Sequence, residues 1–249
     1  MFYSAKNNTY INVPEKCGVE SVILLIASEN NFSNHHLIWN HLGKIRSSHN
    51  HDNFNRSIGI VRNPYSRLVS GYVDKFLTGN FSSAFPQRVS VVMGGKRPTF
   101  RELVDFLSTV DINKIDPHFK SQSASTPNIP KGNIFKLENI DQIKAKLKDL
   151  GFETKFINYR NKWLYSYKKK HITGAFDMSY QDFDIAEKRN NPVSILCMDG
   201  KHGVLTECPY AKGIGFHDAV LPDTESFYNK EIKEKVYKIY KNDFDRFNY

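Results

Sequence analysis

Arg62 and Ser70 stand eight positions apart across a segment that reads as a strand turning sharply into a helix. Ile58, Ile60 and Val61 are β-branched and apolar, a short run typical of a central strand. Asn63-Pro64 ends the run, and Pro64 suits a first helical position, where a missing N–H costs nothing. Leu68, Val69, Tyr72, Val73 and Phe76 then recur at three- and four-residue spacing, which makes one apolar helix face. Arg62 falls at the end of the strand and Ser70 in the second turn of the helix. A guanidinium and a hydroxyl can so converge near a helix N-terminus, a setting that favours phosphate. Geometry alone leaves a plainer alternative open, a basic strand-turn-helix with a surface arginine.

The wording of the segment, Arg62-Asn-Pro-Tyr-Ser-Arg67-Leu-Val-Ser70-Gly-Tyr72 followed by Asp74-Lys-Phe76, closely resembles the 3′-phosphate-binding motif of sulfotransferases. The likeness is nearest to the Golgi-type carbohydrate sulfotransferases (sulfotransferase family 2), which use 3′-phosphoadenosine 5′-phosphosulfate (PAPS). It implies that Arg62 and Ser70 hold the 3′-phosphate of the nucleotide, with Arg67 as a further motif arginine in the cofactor site. The family also grips the 5′-phosphosulfate through an N-terminal strand-loop-helix. Here Thr9 to Pro14 reads as the strand, and Val22 to Ala27 continues as a buried helix or another strand. Between them, Lys16, Cys17, Gly18, Val19 and Ser21 take the places of the family's Pro-Lys-x-Gly-x-Thr-Ser loop. Glu15 intrudes between proline and lysine, and Glu20 replaces the usual threonine. A carboxylate facing a phosphosulfate would repel it, so either Glu20 points away or the loop is remodelled. No Walker A pattern occurs in the chain.

The likeness continues in Pro98-Thr-Phe-Arg-Glu102, where Thr99 is an expected N-cap with Glu102 three residues on, in Asp116-Pro-His-Phe-Lys-Ser-Gln122, which corresponds to an acceptor-facing segment, and in the closing Asp243-Phe244 region. What it implies chemically is sulfuryl transfer to a hydroxyl, most readily of a carbohydrate, with 3′,5′-ADP as product. Lys16 would neutralise charge growing on the leaving oxygen, and no metal is required. The acceptor needs a general base. Among nine histidines, His118 and the pair His49 and His51 are the candidates. His35, His36 and the carboxylate of Glu138 are further alternatives, Glu138 reading more simply as a strand-end or capping residue.

The elements that must carry these residues alternate between strands near 9–14, 58–61 and 133–138 and intervening helices, which implies an α/β fold. The sheet should be P-loop-like and mainly parallel, flanked by helices, with ligands at the strand carboxyl ends. At 249 residues and 40% hydrophobic content, the chain suits one domain with a proper core. Its nucleotide motifs fall within 9–77, its acceptor side within 80–228 and a closing helix at 229–249. Gly151 should end a helix from Asp141 to Leu150. Ser121 to Gly132 and Phe81 to Pro98 read as loops, and residues 152–228 follow no pattern.

The net charge of +9 suits anionic partners, PAPS itself and an acidic glycan among them. No nucleic-acid motif is present. Lys168-Lys-Lys170 reads as a solvated basic surface. Three cysteines do not make a disulfide framework, and Cys197 and Cys208, with His202 and His217, match no standard zinc spacing. No signal peptide or spanning segment is visible. A full-length microbial or viral enzyme would act in the cytoplasm, whereas a trimmed catalytic domain would belong to the Golgi lumen. A noncatalytic nucleotide- or glycan-binding module, or transfer to a small-molecule or lipid hydroxyl, stays open as an alternative. A P-loop kinase is disfavoured by the missing Walker A loop.

Overall fold

The structure is a computed structural model that describes residues 2–4, 7–29, 57–78, 84–126, 128–153, 168–183, 192–198, 205–214 and 220–249. In chain order the elements are β1 (Phe2–Ser4), β2 (Thr9–Asn12), α1 (Val19–Glu29), β3 (Ser57–Val61), α2 (Pro64–Tyr72), α3 (Ala84–Val92), α4 (Phe100–Leu107) and α5 (Gln122–Ser125). There follow β4 (Ile134–Lys136), α6 (Ile140–Asp149), β5 (Lys168–Lys170), β6 (Pro192–Met198), β7 (Leu205–Ile214), β8 (Val220–Pro222), α7 (Lys230–Ile239) and α8 (Lys241–Phe247). They group into two compact units.

The first unit comprises Met1–Arg62, Ser125–Leu164 and Pro192–Gly213. Its sheet has the order β1-β2-β3-β4. β1 runs antiparallel to β2, whereas β2–β3 and β3–β4 are parallel, with Ile11 opposite Ile58 and Ile60 opposite Phe135. This is the mixed, mainly parallel sheet flanked by helices that the sequence implied. Every residue of β3 is buried, as a central strand covered on both faces must be, and this explains why its apolar pattern does not alternate. At Gly59 an added Cβ would stand 3.3 and 3.4 Å from the Ile129 and Ile134 side chains, which would have to give way slightly. The core joins Ile11, Ile58 and Ile60 of the sheet to Val22 and Ile26 of α1 and Ile143 and Leu147 of α6. α6 ends as expected: Gly151 has φ +88, and the Phe152 N–H returns to the Leu147 carbonyl at 3.0 Å. β6 pairs with β7 in a separate two-stranded sheet.

The second unit, Asn63–Ala124, Tyr165–Asn191 and Ile214–Tyr249, is mainly helical. Its core is aromatic: Tyr72, Phe76, Phe100, Phe119 and Phe227 are all fully buried, each ring contributing on the order of 1.5–3 kcal/mol. The Tyr72 hydroxyl donates to the Pro98 carbonyl at 3.0 Å. α4 starts at the expected capping box, in which Thr99 Oγ1 accepts from the Glu102 N–H at 3.2 Å and Glu102 returns the bond to the Thr99 N–H at 2.8 Å. β5 pairs in parallel with β8, leaving Lys169 and Lys170 exposed.

Three expectations are corrected. Within 84–98 the chain carries α3, whose Pro86, Val89 and Ser90 are buried, followed by a turn through Gly94 and Gly95 at positive φ. The stretch 121–132 contains α5, with Gln122 and Thr126 fully buried. The closing helix is two helices that meet at Tyr240, whose non-helical ψ of 24° ends α7. Among the described residues no helix is long and apolar enough to cross a membrane.

Candidate functional site

In the first unit the chain leaves β2 and enters a tight turn, closed by the Cys17 N–H on the Pro14 carbonyl at 3.1 Å. Lys16 and Gly18 both take left-handed backbone, at φ 68 and φ 94. Gly18 adopts this freely, but Lys16 is strained by about 1–2 kcal/mol. Such strain persists only where surroundings enforce it. One enforcing contact is visible: Arg62, just beyond β3, donates Nη1 to the Lys16 carbonyl at 3.2 Å. The Gly18 carbonyl accepts from the Val22 N–H to begin α1, which places the amides of Val19, Glu20 and Ser21 in its first turn. Lys16, Cys17 and Ser21 are buried, and Val19 is half-buried. Lys16 and Arg62, assigned in the sequence to opposite ends of one nucleotide, are thus in direct contact.

In the second unit, Asn63 caps α2 by accepting from the Tyr65 N–H at 2.9 Å, with Pro64 at the first helical position as the sequence predicts. Ser70 lies half-exposed on this helix. Arg67 is 2% exposed, and its guanidinium donates to the backbone carbonyls of Lys120 at 2.8 Å and Pro117 at 3.0 Å. Gly71 allows the same close approach, since a Cβ there would stand 3.0 Å from the Phe119 ring and 3.4 Å from the His118 carbonyl. From the C-terminal helices, Tyr240 donates its hydroxyl to the Phe119 carbonyl at 2.7 Å. The fully buried Asp243 accepts from Ser121 Oγ at 2.7 Å and from the Gln122 and Ser123 N–H groups at 2.8 Å. The segment 116–123 is held from both sides.

That segment carries a paired imidazole. His118 Nδ1 lies 2.6 Å from Asp116 Oδ1, and the same oxygen accepts from the His118 backbone N–H at 2.9 Å. Burial works against the Asp116 charge, but the hydrogen bonds from the His118 ring and backbone, with the positive charge of Lys75, outweigh it. They hold the carboxyl below the usual carboxylate range. A carboxylate on Nδ1 selects the tautomer with its proton there, so that Nε2 carries the lone pair that takes a proton.

The sequence assigns no role to Tyr240 or Asp243, and marks Asp116 only as part of the acceptor-facing segment. The signal for Asp116 was present: an aspartate two residues before His118 forms an Asx turn onto that residue's N–H, which brings carboxylate and ring together. Nothing local marks Asp243, whose partners lie about 120 residues earlier. Replacing Asp243 with alanine should leave three donors without an acceptor and destabilise the protein by about 2–4 kcal/mol. Urea unfolding measures this, and Asp243→Asn should lose less because one oxygen remains.

His35, His36, His49, His51, His202 and His217 lie outside the described residues, as do the side chains of Glu20, Cys197 and Cys208. Glu138 is exposed in the turn after β4. Among the described residues no group of three or more His, Cys, Asp or Glu side chains could hold a metal ion.

A family model, described as the sulfotransferase family, matches residues 16–192, from the Lys16 turn through α2 and the His118 segment. No curated protein and no solved structure gives a match. The match covers more than half of the 249 residues and contains both the Lys16 loop and the Arg62–Ser70 segment. The mainly parallel sheet flanked by helices is the fold expected of such a protein, and the chain belongs to the sulfotransferase family, whose reaction is sulfuryl transfer.

Proposed function

We propose that this protein transfers the sulfuryl group of PAPS to a hydroxyl of a carbohydrate acceptor, all within one catalytic domain. The observation that carries the donor assignment is the Arg62 bond to the Lys16 carbonyl, which ties the two nucleotide motifs together. Lys16, with the amides around Gly18 and the start of α1, holds the 5′-phosphosulfate, while Arg62 and Ser70 hold the 3′-phosphate. Arg67, committed to the Pro117 and Lys120 carbonyls, is assigned to positioning the loop instead of touching the nucleotide.

In the reaction the bond between sulfur and the bridging phosphate oxygen breaks as a bond from the acceptor oxygen to sulfur forms. The acceptor proton passes to His118 Nε2, and 3′,5′-ADP leaves with its new charge facing Lys16. Such a loose, in-line transfer depends mainly on positioning and electrostatics.

Nucleotide choice tests the donor assignment. 3′,5′-ADP should raise the melting temperature far more than ATP or 5′-AMP at equal concentration. Arg62→Ala should weaken 3′,5′-ADP binding by about 2–4 kcal/mol and leave 5′-AMP binding nearly unchanged. Equal losses for both nucleotides would make Arg62 purely a support for the Lys16 turn. A PAPS-dependent screen over glycans, phenols, lipids and small alcohols, read by the mass of the sulfated product, tests the reaction. Binding without turnover on any acceptor would favour a noncatalytic module.

A further inference from the structure

The second unit holds a groove of about 660 Å³ between the first turn of α2 and the outer face of α7. Ile232 and Val236 of α7 are fully buried in the aromatic core, which turns the other side of the helix outward. Lys230, Lys233, Glu234, Tyr237 and Lys238 follow at three- and four-residue spacing on that side and line the groove. Tyr65 and Tyr228 make the opposite wall.

Hydrogen bonds and ring contacts fix that wall. The Tyr65 hydroxyl donates to the Lys233 carbonyl at 3.3 Å, and the Tyr228 hydroxyl to the Tyr65 carbonyl at 2.9 Å. The Tyr65 and Tyr237 rings both rest on Phe244, with centroids 4.9 and 5.2 Å away. Lys233 is drawn to Glu225 at 2.8 Å, whereas Lys230 and Lys238 have no ion-pair partner among the described residues. These two stand about 12 Å apart along the helix, with the 40% exposed Tyr237 between them and next to Lys238.

Three ammonium groups against the one carboxylate of Glu234 give the groove a positive balance, in keeping with the chain's +9. Tyrosine rings offer broad apolar faces with a polar tip, which suit the C–H faces and hydroxyls of sugar rings. The Glu234 carboxylate can accept from sugar hydroxyls but would repel a row of phosphates. A nucleic-acid strand is therefore a poorer match than an acidic sugar chain.

We propose that this groove is an exosite for the acceptor, holding uronate-bearing sugars of the chain other than the one that is sulfated. The proposal rests on transfer to a carbohydrate, and it narrows the acceptor to acidic chains of several sugars. Lys230 and Lys238 meet the carboxylates and Tyr237 the ring face between them.

The test uses the full chain and labelled polygalacturonate and hyaluronan fragments, first without nucleotide. Long fragments should bind at least tenfold more tightly than disaccharides or neutral maltodextrin of equal length, and the gap should shrink in about 0.5 M salt. Lys230→Glu with Lys238→Glu, both at exposed positions, should weaken the long acidic fragments at least thirtyfold. The same change of charge on α6, Lys144→Glu with Lys148→Glu, should cost less than threefold. Tyr237→Ala should cost about fivefold with every charge intact, a loss that ionic attraction alone does not predict. Equal losses in the two lysine pairs would overturn the exosite, and so would tighter binding of an oligonucleotide of equal charge. With PAPS, the α7 lysine pair should raise KM for the bound fragment and leave kcat within about threefold, since contacts remote from the reacting oxygen add uniform binding. An unchanged KM, or no sulfation of any fragment that the groove binds, would overturn the acceptor role. The donor reading is scored apart from this: a wild type whose melting temperature does not rise with 3′,5′-ADP would refute PAPS as donor and leave the binding result of the groove as measured.

Discussion

Replacing Lys16 with alanine is expected to lower turnover by roughly a hundredfold to a thousandfold, while 3′,5′-ADP binding weakens by less than about tenfold. The asymmetry follows from when the charge is needed. Before transfer, the bridging oxygen of the donor shares its electrons with sulfur. As the S–O bond lengthens, negative charge accumulates on that oxygen, and an ammonium beside it gains most at that moment. Lys16 is buried, so the interaction is screened less than it would be in water. The backbone supplies a control. Lys16 holds φ 68, and Lys16→Gly should relieve about 1 kcal/mol of strain, seen in urea unfolding, while losing as much turnover as alanine. That pattern separates the ammonium's chemistry from the strain of the turn. Near-normal turnover in Lys16→Ala would mean that the register of the loop around Glu15 is wrong.

What could be read from the sequence follows a physical divide. β3 and α2 were legible because their signals are local: β-branched residues, Asn63-Pro64 at the cap, and an apolar face at helical spacing. The α4 capping box and the Gly151 stop were legible for the same reason. α3 was not, because Pro86 and the glycines beyond it read as punctuation. Yet Pro86 falls in the first turn of the helix, where proline is tolerated. The role of Arg67 was hidden more deeply. Its motif position suggests a ligand for phosphate, but its partners are carbonyls some fifty residues away, and only the folded chain brings them to it. The Asp243 bonds are of the same kind. Residues that act on a ligand leave a motif, whereas residues that hold those residues in place need only a fold.

The base assignment rests on that kind of support. His118→Ala is expected to lose about a hundredfold or more in turnover while binding 3′,5′-ADP normally, because the imidazole meets the acceptor and not the nucleotide. The wild-type rate should rise with pH through a single ionisation, and the alanine variant should lose that limb. Asp116 adds a second, sharper measurement. Its carboxylate holds the proton on Nδ1, so Asp116→Asn should reduce the plateau rate as the tautomer is no longer fixed. A merely structural pair predicts neither change. Linkage gives an independent check on the same contact. A carboxyl held below its unfolded value of ~3.9 adds stability that is complete above that pH and is lost as pH falls through the folded value. Wild type should therefore lose stability relative to Asp116→Asn on acidification below about pH 4. An active His118→Ala enzyme with an unchanged pH profile would move the base to His49 or His51, and the same two measurements on those variants would decide between them.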